Sequence, residues 1–287
     1  MASTETSPER SPSTKTAAAP AQMGRRVRHE LKFRMLQVIR ANRVTPSMMR
    51  VTLTGDDLPG FISAAYDDHM KVFFPPAGEV KPAMPTMGPE GAIFPQGVPR
   101  PAARDYTPRR YDPVANELDI DFVLHGDGPA SSWAANARPG QFLGVGGPRG
   151  SYVLTEEFDW YLMVGDETAL PAIGRRLREL PARSHAIVIA EVATPDDELR
   201  FESPARVETT WLHRGHTEPG LIGPLLAAVA QLKVPAGSGY VWVACESETA
   251  RAIRRLLVDE RGVPKDRIKA AGYWRRGAVA IHDTHAD

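Results

Sequence analysis

Between Arg104 and Ala135 the chain concentrates groups able to hold an anion. Arg104 offers a forked guanidinium, Tyr106 a ring with a hydroxyl, Thr107 a second hydroxyl and His125 an imidazole. The stretch closes with Gly128-Pro129-Ala130-Ser131-Ser132. Gly128 permits unusual backbone angles and Pro129 is pre-set for a first helical position. The amides of Ala130, Ser131 and Ser132 are therefore expected to point out of a helix start. Together with the serine hydroxyls and the positive end of the helix dipole they suit a phosphate or pyrophosphate. The competing account is that Ser131 and Ser132 merely cap the helix. Arg104 and His125 weigh against it.

A strand must join the two halves of that stretch. Leu118, Ile120, Phe122 and Leu124 alternate with Asp119, Asp121 and Val123, the period of a half-buried strand, so His125 falls at its exit. Five further short strands are expected around it: Phe33 to Ala41, Met48 to Thr54, Met70 to Phe74, Arg104 to Tyr111 and Gln141 to Val145. Six short strands punctuated by Gly and Pro indicate a small antiparallel β-barrel. The Pro- and Gly-rich segment from Pro75 to Ala103 is expected as a flap beside the ligand or as a surface insertion.

After Tyr152 the pattern changes. Strands are expected at Trp160 to Val164, Ala186 to Val192, Val207 to Leu212, Tyr240 to Ala244 and Ile268 to Tyr273. Helices are expected after Leu170, over Leu221 to Leu232 and over Glu246 to Arg261. That alternation implies an α/β doubly wound parallel sheet, whose ligands sit beyond the carboxyl ends of the strands. The expected division is a polar tail at 1–24, the barrel at 25–154, the α/β unit at 155–278 and a tail at 279–287.

Composition narrows the class. The chain has 287 residues, 42% of them hydrophobic, and balances 35 Lys and Arg against 35 Asp and Glu. A formal charge of zero removes the whole-molecule electrostatic case for nucleic acid or an anionic membrane. One cysteine excludes an internal disulfide framework and fits a reducing cytoplasm. No apolar run is long enough to span a bilayer.

Arg104-x-Tyr106-Thr107-x-Arg109, Phe122-Val123-Leu124-His125-Gly126 and Gly128-Pro-Ala-Ser-Ser-Trp-Ala134 resemble the FAD site of the siderophore-interacting proteins, ferric-siderophore reductases of the ferredoxin-NADP reductase superfamily. Gly165-Asp-Glu-Thr-Ala-Leu-Pro-Ala172 and Gly272-Tyr-Trp-Arg-Arg-Gly277 agree with it. The resemblance runs from about Phe33 to Gly277 and makes the barrel an FAD-binding domain. It implies a flavoprotein that reduces Fe(III) held in a siderophore with electrons from NADH or NADPH, working in the cytoplasm as a monomer. Three alternatives stand beside it: a flavin reductase with another acceptor, a ferredoxin-fed reductase, and a non-catalytic siderophore-binding protein.

The resemblance also assigns residues. Arg104 would meet the FAD diphosphate, Tyr106 the isoalloxazine or ribityl chain, Thr107 the neighbourhood of N5, and His125 the ribityl or phosphate portion. Val123, Ala130, Ser131 and Ser132 complete that wall, with Arg109 as a further pocket wall. The turn Gly165-Asp166-Glu167-Thr168-Ala169 carries carboxylates that would repel a pyrophosphate. The resemblance therefore gives Asp166, Thr168 and Ala169 to the adenine end of FAD; on the residues alone, acids at a helix start are the simpler account. Lys71 and Arg275 would draw an anionic chelate to the flavin, although Lys71 equally suits an exposed barrel lysine. No metal site is expected. His213 with His216 and His282 with His285 lack a third ligand in sequence, and Cys245 reads as a small buried thiol.

Overall fold

The computed structural model describes residues 23–89, 91–126, 128–278 and the backbone of 283–285. The strands are β1 (Gly24–Arg28), β2 (Phe33–Thr45), β3 (Met48–Thr54), β4 (Met70–Phe74), β5 (Thr86–Gly88), β6 (Gly91–Ile93), β7 (Ala102–Tyr106), β8 (Arg110–Asp112) and β9 (Glu117–Val123). Helix α1 (Pro129–Ala135) follows, then β10 (Phe142–Gly146) and β11 (Gly150–Leu154). Seven of these strands form one antiparallel sheet, in the order β7-β4-β10-β2-β3-β9-β8. Edge strand β7 touches β9 across the interior although four strands separate them in the ladder, so the sheet is curled.

The expected six-stranded barrel is thus corrected to a curled sheet of seven. The single strand expected from Arg104 to Tyr111 is two, β7 and β8, lying on opposite edges. Pro108 is the reason: it has no N–H for a ladder and restricts Thr107 before it. Two other features were not expected. Strand β1 pairs with β11 antiparallel, and the long segment after β4 carries the β5–β6 hairpin. Phe94 from that segment meets Phe73 edge-on at 6.2 Å. Inside the curl, Leu36, Val51, Leu53, Val72, Phe74, Leu118, Ile120 and Phe122 form a buried core. Each such side chain contributes roughly 1.5–3 kcal/mol by leaving water.

The second layer comprises β12 (Trp160–Gly165), α2 (Leu170–Glu179), β13 (His185–Val192), β14 (Arg206–His213), α3 (Ile222–Gln231), β15 (Gly239–Glu246), α4 (Ser247–Arg255), β16 (Ile268–Trp274) and β17 (Asp283–His285). Its sheet order is β14-β13-β12-β15-β16-β17, parallel except for β17. The order reverses between β12 and β15, the crevice where doubly wound sheets take ligands. Two boundaries differ from expectation. Glu246 ends β15 instead of opening the helix, and α4 gives way at Leu256 to a π-helical turn through Glu260. Strand β17 lies in the stretch expected as a tail; of the tail expected at 1–24, residues 1–22 lie outside the described residues and Gly24 already opens β1.

Candidate functional site

Register decides which groups of the Arg-x-Tyr-Thr stretch act together. Across the β4–β7 ladder Met70 faces Tyr106, Val72 faces Arg104 and Lys71 faces Asp105. Alternation puts Arg104 and Tyr106 on the face of buried Met70 and Val72, and Lys71 on the other. Tyr106 packs its ring 4.5 Å from Phe122 and 6.2 Å from Phe74. Burial pushes its phenol up, so it stays neutral. Arg104 donates to the Ala103 carbonyl at 2.8 Å and pairs with no acid among the described residues. Most of its fork is unspent.

Helix α1 packs against β7, the strand of Arg104, and against β9. Gly128 caps it without a side-chain bond and Pro129 occupies the first turn. One expectation is corrected: the Ser132 amide is not free, because it donates to the Gly128 carbonyl at 2.9 Å. The orphan amides are those of Ala130 and Ser131. Ser131 is buried, and its hydroxyl accepts from the His125 amide at 3.0 Å. It therefore clamps the strand exit to the helix. His125 and Ser132 are exposed, and Val123 is half-buried.

The second half of the site hangs on β16. The Tyr273 hydroxyl and buried Thr107 share a hydrogen bond, and Trp274 Nε1 donates to Asp166 Oδ2 at 2.8 Å. Asp166 Oδ1 accepts from the Thr168 amide at 3.0 Å and its hydroxyl at 2.5 Å. Burial raises the Asp166 carboxyl, and these donors oppose the rise. Ala169 is fully buried, and a Cβ on Gly165 would stand 2.4 Å from its own. Of the three expected adenine contacts only Thr168 keeps surface; the other two shape the turn.

Carboxylates fill the carboxyl ends of the parallel strands. Glu167 pairs with Arg214. Glu191 is buried, its Oε2 finds no partner among the described residues, and desolvation raises it to about 7. Glu246 accepts from the amides of Glu248 and Thr249 at 2.8 and 3.1 Å, which occupies the start of α4. Lys71 is tied to Asp105 at 2.8 Å and Arg275 to Glu248 at 3.3 Å, both at the surface. His213 is bonded to Glu198 at 2.7 Å, and no grouping of metal-ligand side chains occurs among the described residues. His282 lies outside those residues, as does the His285 side chain. Cys245 is buried and its thiol is pushed up by burial.

The donor set fits a flavin dinucleotide. An unspent guanidinium, two orphan amides and an exposed imidazole are what a diphosphate accepts from, and Tyr106 supplies an apolar face beside them. Sequence reading missed the Thr107–Tyr273 bond and the Glu246 cap. The second had a signal in Glu246-Ser-Glu-Thr, an acid directly before a helix start; the first had none, since its partners lie in different layers.

Known proteins share the sequence and the fold that carry this site. The family model described as the siderophore-interacting FAD-binding domain matches residues 37–152, and that of the siderophore-interacting protein matches residues 158–277. The chain is 38% identical over 253 residues to the NADPH-dependent ferric-chelate reductase of Escherichia coli strain K12, covering 87% of this chain and 95% of that one. It is 39% identical over 248 residues to a ferric vibriobactin reductase of Vibrio cholerae, covering 85% and 90%. The crystal structure of a siderophore utilization protein from T. fusca superposes with a TM-score of 0.83 at 40% identity, covering 90% of this chain and 98% of that one. A curled antiparallel FAD-binding sheet followed by a parallel sheet, with matches along nearly its whole length, makes this chain a member of the siderophore-interacting protein family.

Proposed function

We propose that the protein is an FAD-dependent reductase of ferric siderophores that takes electrons from NADPH or NADH. The observation that carries this reading is the largely unspent Arg104 fork, on the same face as Tyr106 of a strand, β7, against which α1 packs. Arg104 and the amides of Ala130 and Ser131 hold the diphosphate, and His125 reaches the ribityl or phosphate portion. Tyr106 flanks the ring system, and Thr107, oriented by Tyr273, presents its hydroxyl near the reacting edge. Val123 and Ser132 complete the wall, and Thr168 contacts the adenine end. When bound, FAD accepts a hydride from the nicotinamide and releases electrons singly.

The chelate is substrate. Lys71 and Arg275 serve as its cations, and their surface ion pairs with Asp105 and Glu248 are weak enough to be exchanged for it. Oxygen-rich ligands favour the hard ferric ion, so reduction loosens the iron without ligands from the protein. The reading places the reaction in the cytoplasm and in a monomer.

A second electron source rests on one observation. Glu246 holds the amides at the start of α4 with its own carboxylate, and the Asp166 carboxylate occupies the Thr168 amide in the turn before α2. A dinucleotide diphosphate is not gripped there as in other doubly wound sheets, which favours a ferredoxin. The test is an anaerobic absorbance titration of the FAD-loaded protein with NADPH, then NADH, followed by a ferric chelate under a ferrous-specific dye. Bleaching by nicotinamide and colour from the dye are expected. Flavin bands that no nicotinamide bleaches, but reduced ferredoxin does, establish the second source. A protein that does not take up FAD overturns the reading.

A further inference from the structure

We propose that the seam between the curled sheet and α2 is a binding site for a phosphate-class oxyanion, gripped by Arg109 and Arg178. A cavity of about 270 Å³ opens there, between the turn after Thr107 and the outer face of α2. It lies among the layer-bridging contacts. Arg109, which the resemblance offers as a wall of the flavin pocket, lies against α2 at Gly174 here; the groups given to FAD and to the chelate in the proposed function are all others, so the proposal stands apart from that reading.

Four arginines wall the cavity, and they are not equivalent. Arg110 is neutralised by Asp112, Glu117 and Asp119 at 2.7 to 3.0 Å. Arg175 is spent on Glu179, on the Ser63 hydroxyl and carbonyl, and on the Pro108 carbonyl. These two are fixed walls. Arg109 differs: its side chain is only 11% exposed, yet its single ionic contact among the described residues is Asp121 at 3.7 Å. Asp121 is already held by Arg50 through two bonds of 2.7 and 2.8 Å. No hydrogen bond of the Arg109 guanidinium occurs among the described residues. Burial pushes that guanidinium down to about 10, and the like charges of Arg50 and Arg178 push the same way. A buried cation without a close counter-ion is costly, and an anion in the cavity removes the cost.

The seam is built around this arginine. Its Nη2 lies against α2 at Gly174, where a Cβ would stand 3.0 Å away. Arg178, one turn further along α2, is paired among the described residues with Glu202, which is 74% exposed, so Arg178 changes partner cheaply. Two forks, one from the curled sheet and one from α2, line the cavity together with Tyr111 and supply donors from two elements. That arrangement matches a tetrahedral oxyanion better than a planar carboxylate. The volume also admits a phosphoryl group carried on a larger molecule.

The experiment titrates the FAD-loaded protein calorimetrically with inorganic phosphate, in chloride of matched ionic strength. Saturable binding is expected in the native protein, with affinity falling about tenfold or more in Arg178→Ala, which loses one fork. Arg109→Lys, which keeps the charge without the fork, is expected to weaken phosphate similarly. Flavin absorbance reports that both variants are folded and loaded. A parallel titration with NADP+ identifies the source: displacement of phosphate makes the oxyanion part of the donor, and its absence makes it a free anion. No saturable phosphate binding, or equal affinity in Arg178→Ala and the native protein, overturns the proposal.

Discussion

Two polar clusters face each other across this molecule and spend their hydrogen bonds differently. Around Arg104 and the start of α1 the donors are left over: an unpaired fork, two orphan amides and an exposed imidazole. At the carboxyl ends of the parallel strands the groups consume one another, Asp166 with Thr168 and Trp274, Glu246 with the amides of α4, Glu167 with Arg214. Unspent groups mark where a ligand completes the structure, and mutually satisfied groups mark scaffold. Substitutions in the first cluster should change ligand affinity at constant stability, and those in the second the reverse.

The largest effect expected comes from pH, at Glu191, which departs from that contrast because its Oε2 has no partner among the described residues. Glu191 is buried, and its folded value of about 7 lies above the ordinary carboxyl value of 4.5. Between those limits the folded state holds a proton that the unfolded state has released. Stability therefore falls as pH rises from 4.5 to 7, by at most about 3 kcal/mol, then levels off. Denaturant unfolding across that window checks it, and Glu191→Gln should remove this contribution. A native profile that rises through the window, with Glu191→Gln unchanged, sinks the assignment.

Next comes Arg104→Ala, which removes a charge-assisted contact to the diphosphate. Fluorescence titration should show FAD affinity falling by about 1.5–3 kcal/mol, with an unchanged melting temperature of the flavin-free protein. A variant that binds FAD as tightly as the native chain would break the contrast at its strongest point. Glu246→Ala should do the opposite. Two amides of α4 lose their acceptor, at a stability cost of about 1–2 kcal/mol, and FAD affinity stays put. Lys71→Ala should be smallest in stability, within about 1 kcal/mol, since the lost ion pair with Asp105 is at the surface. Its effect belongs in a raised KM for an anionic ferric chelate at low salt.

Most of the fold was legible because local patterns determine it. The alternation through Phe122 and the Met48–Thr54 and Met70–Phe74 strands are visible in a few residues each. Gly128-Pro129 likewise announces α1, although the Ser132 amide turned out to belong to the helix itself. Pro108 held a readable warning that one strand would become two. For the candidate site the resemblance pointed to the Arg104 face, whose groups are close in sequence, and sequence said less where partners come from afar. Lys71 illustrates the limit: its motif is local, but the face it occupies depends on a ladder with β7. The seam arginines look like solvated surface in sequence, and only the approach of α2 turns Arg109 into a buried cation.

The attachment of Thr107 and Asp166 to β16 has a consequence for synthesis. Asp166 waits for Trp274, 108 residues downstream, and Thr107 waits for Tyr273. A chain emerging from the ribosome completes the curled sheet and α1 long before β16 is made, because domains fold as units from the N-terminus. On the proposed assignment the Arg104 and α1 donors to the diphosphate are then in place while Thr107 still lacks its partner. Flavin captured at that stage would be held at its diphosphate end alone, and the Thr107–Tyr273 bond is completed only with the last parallel strand.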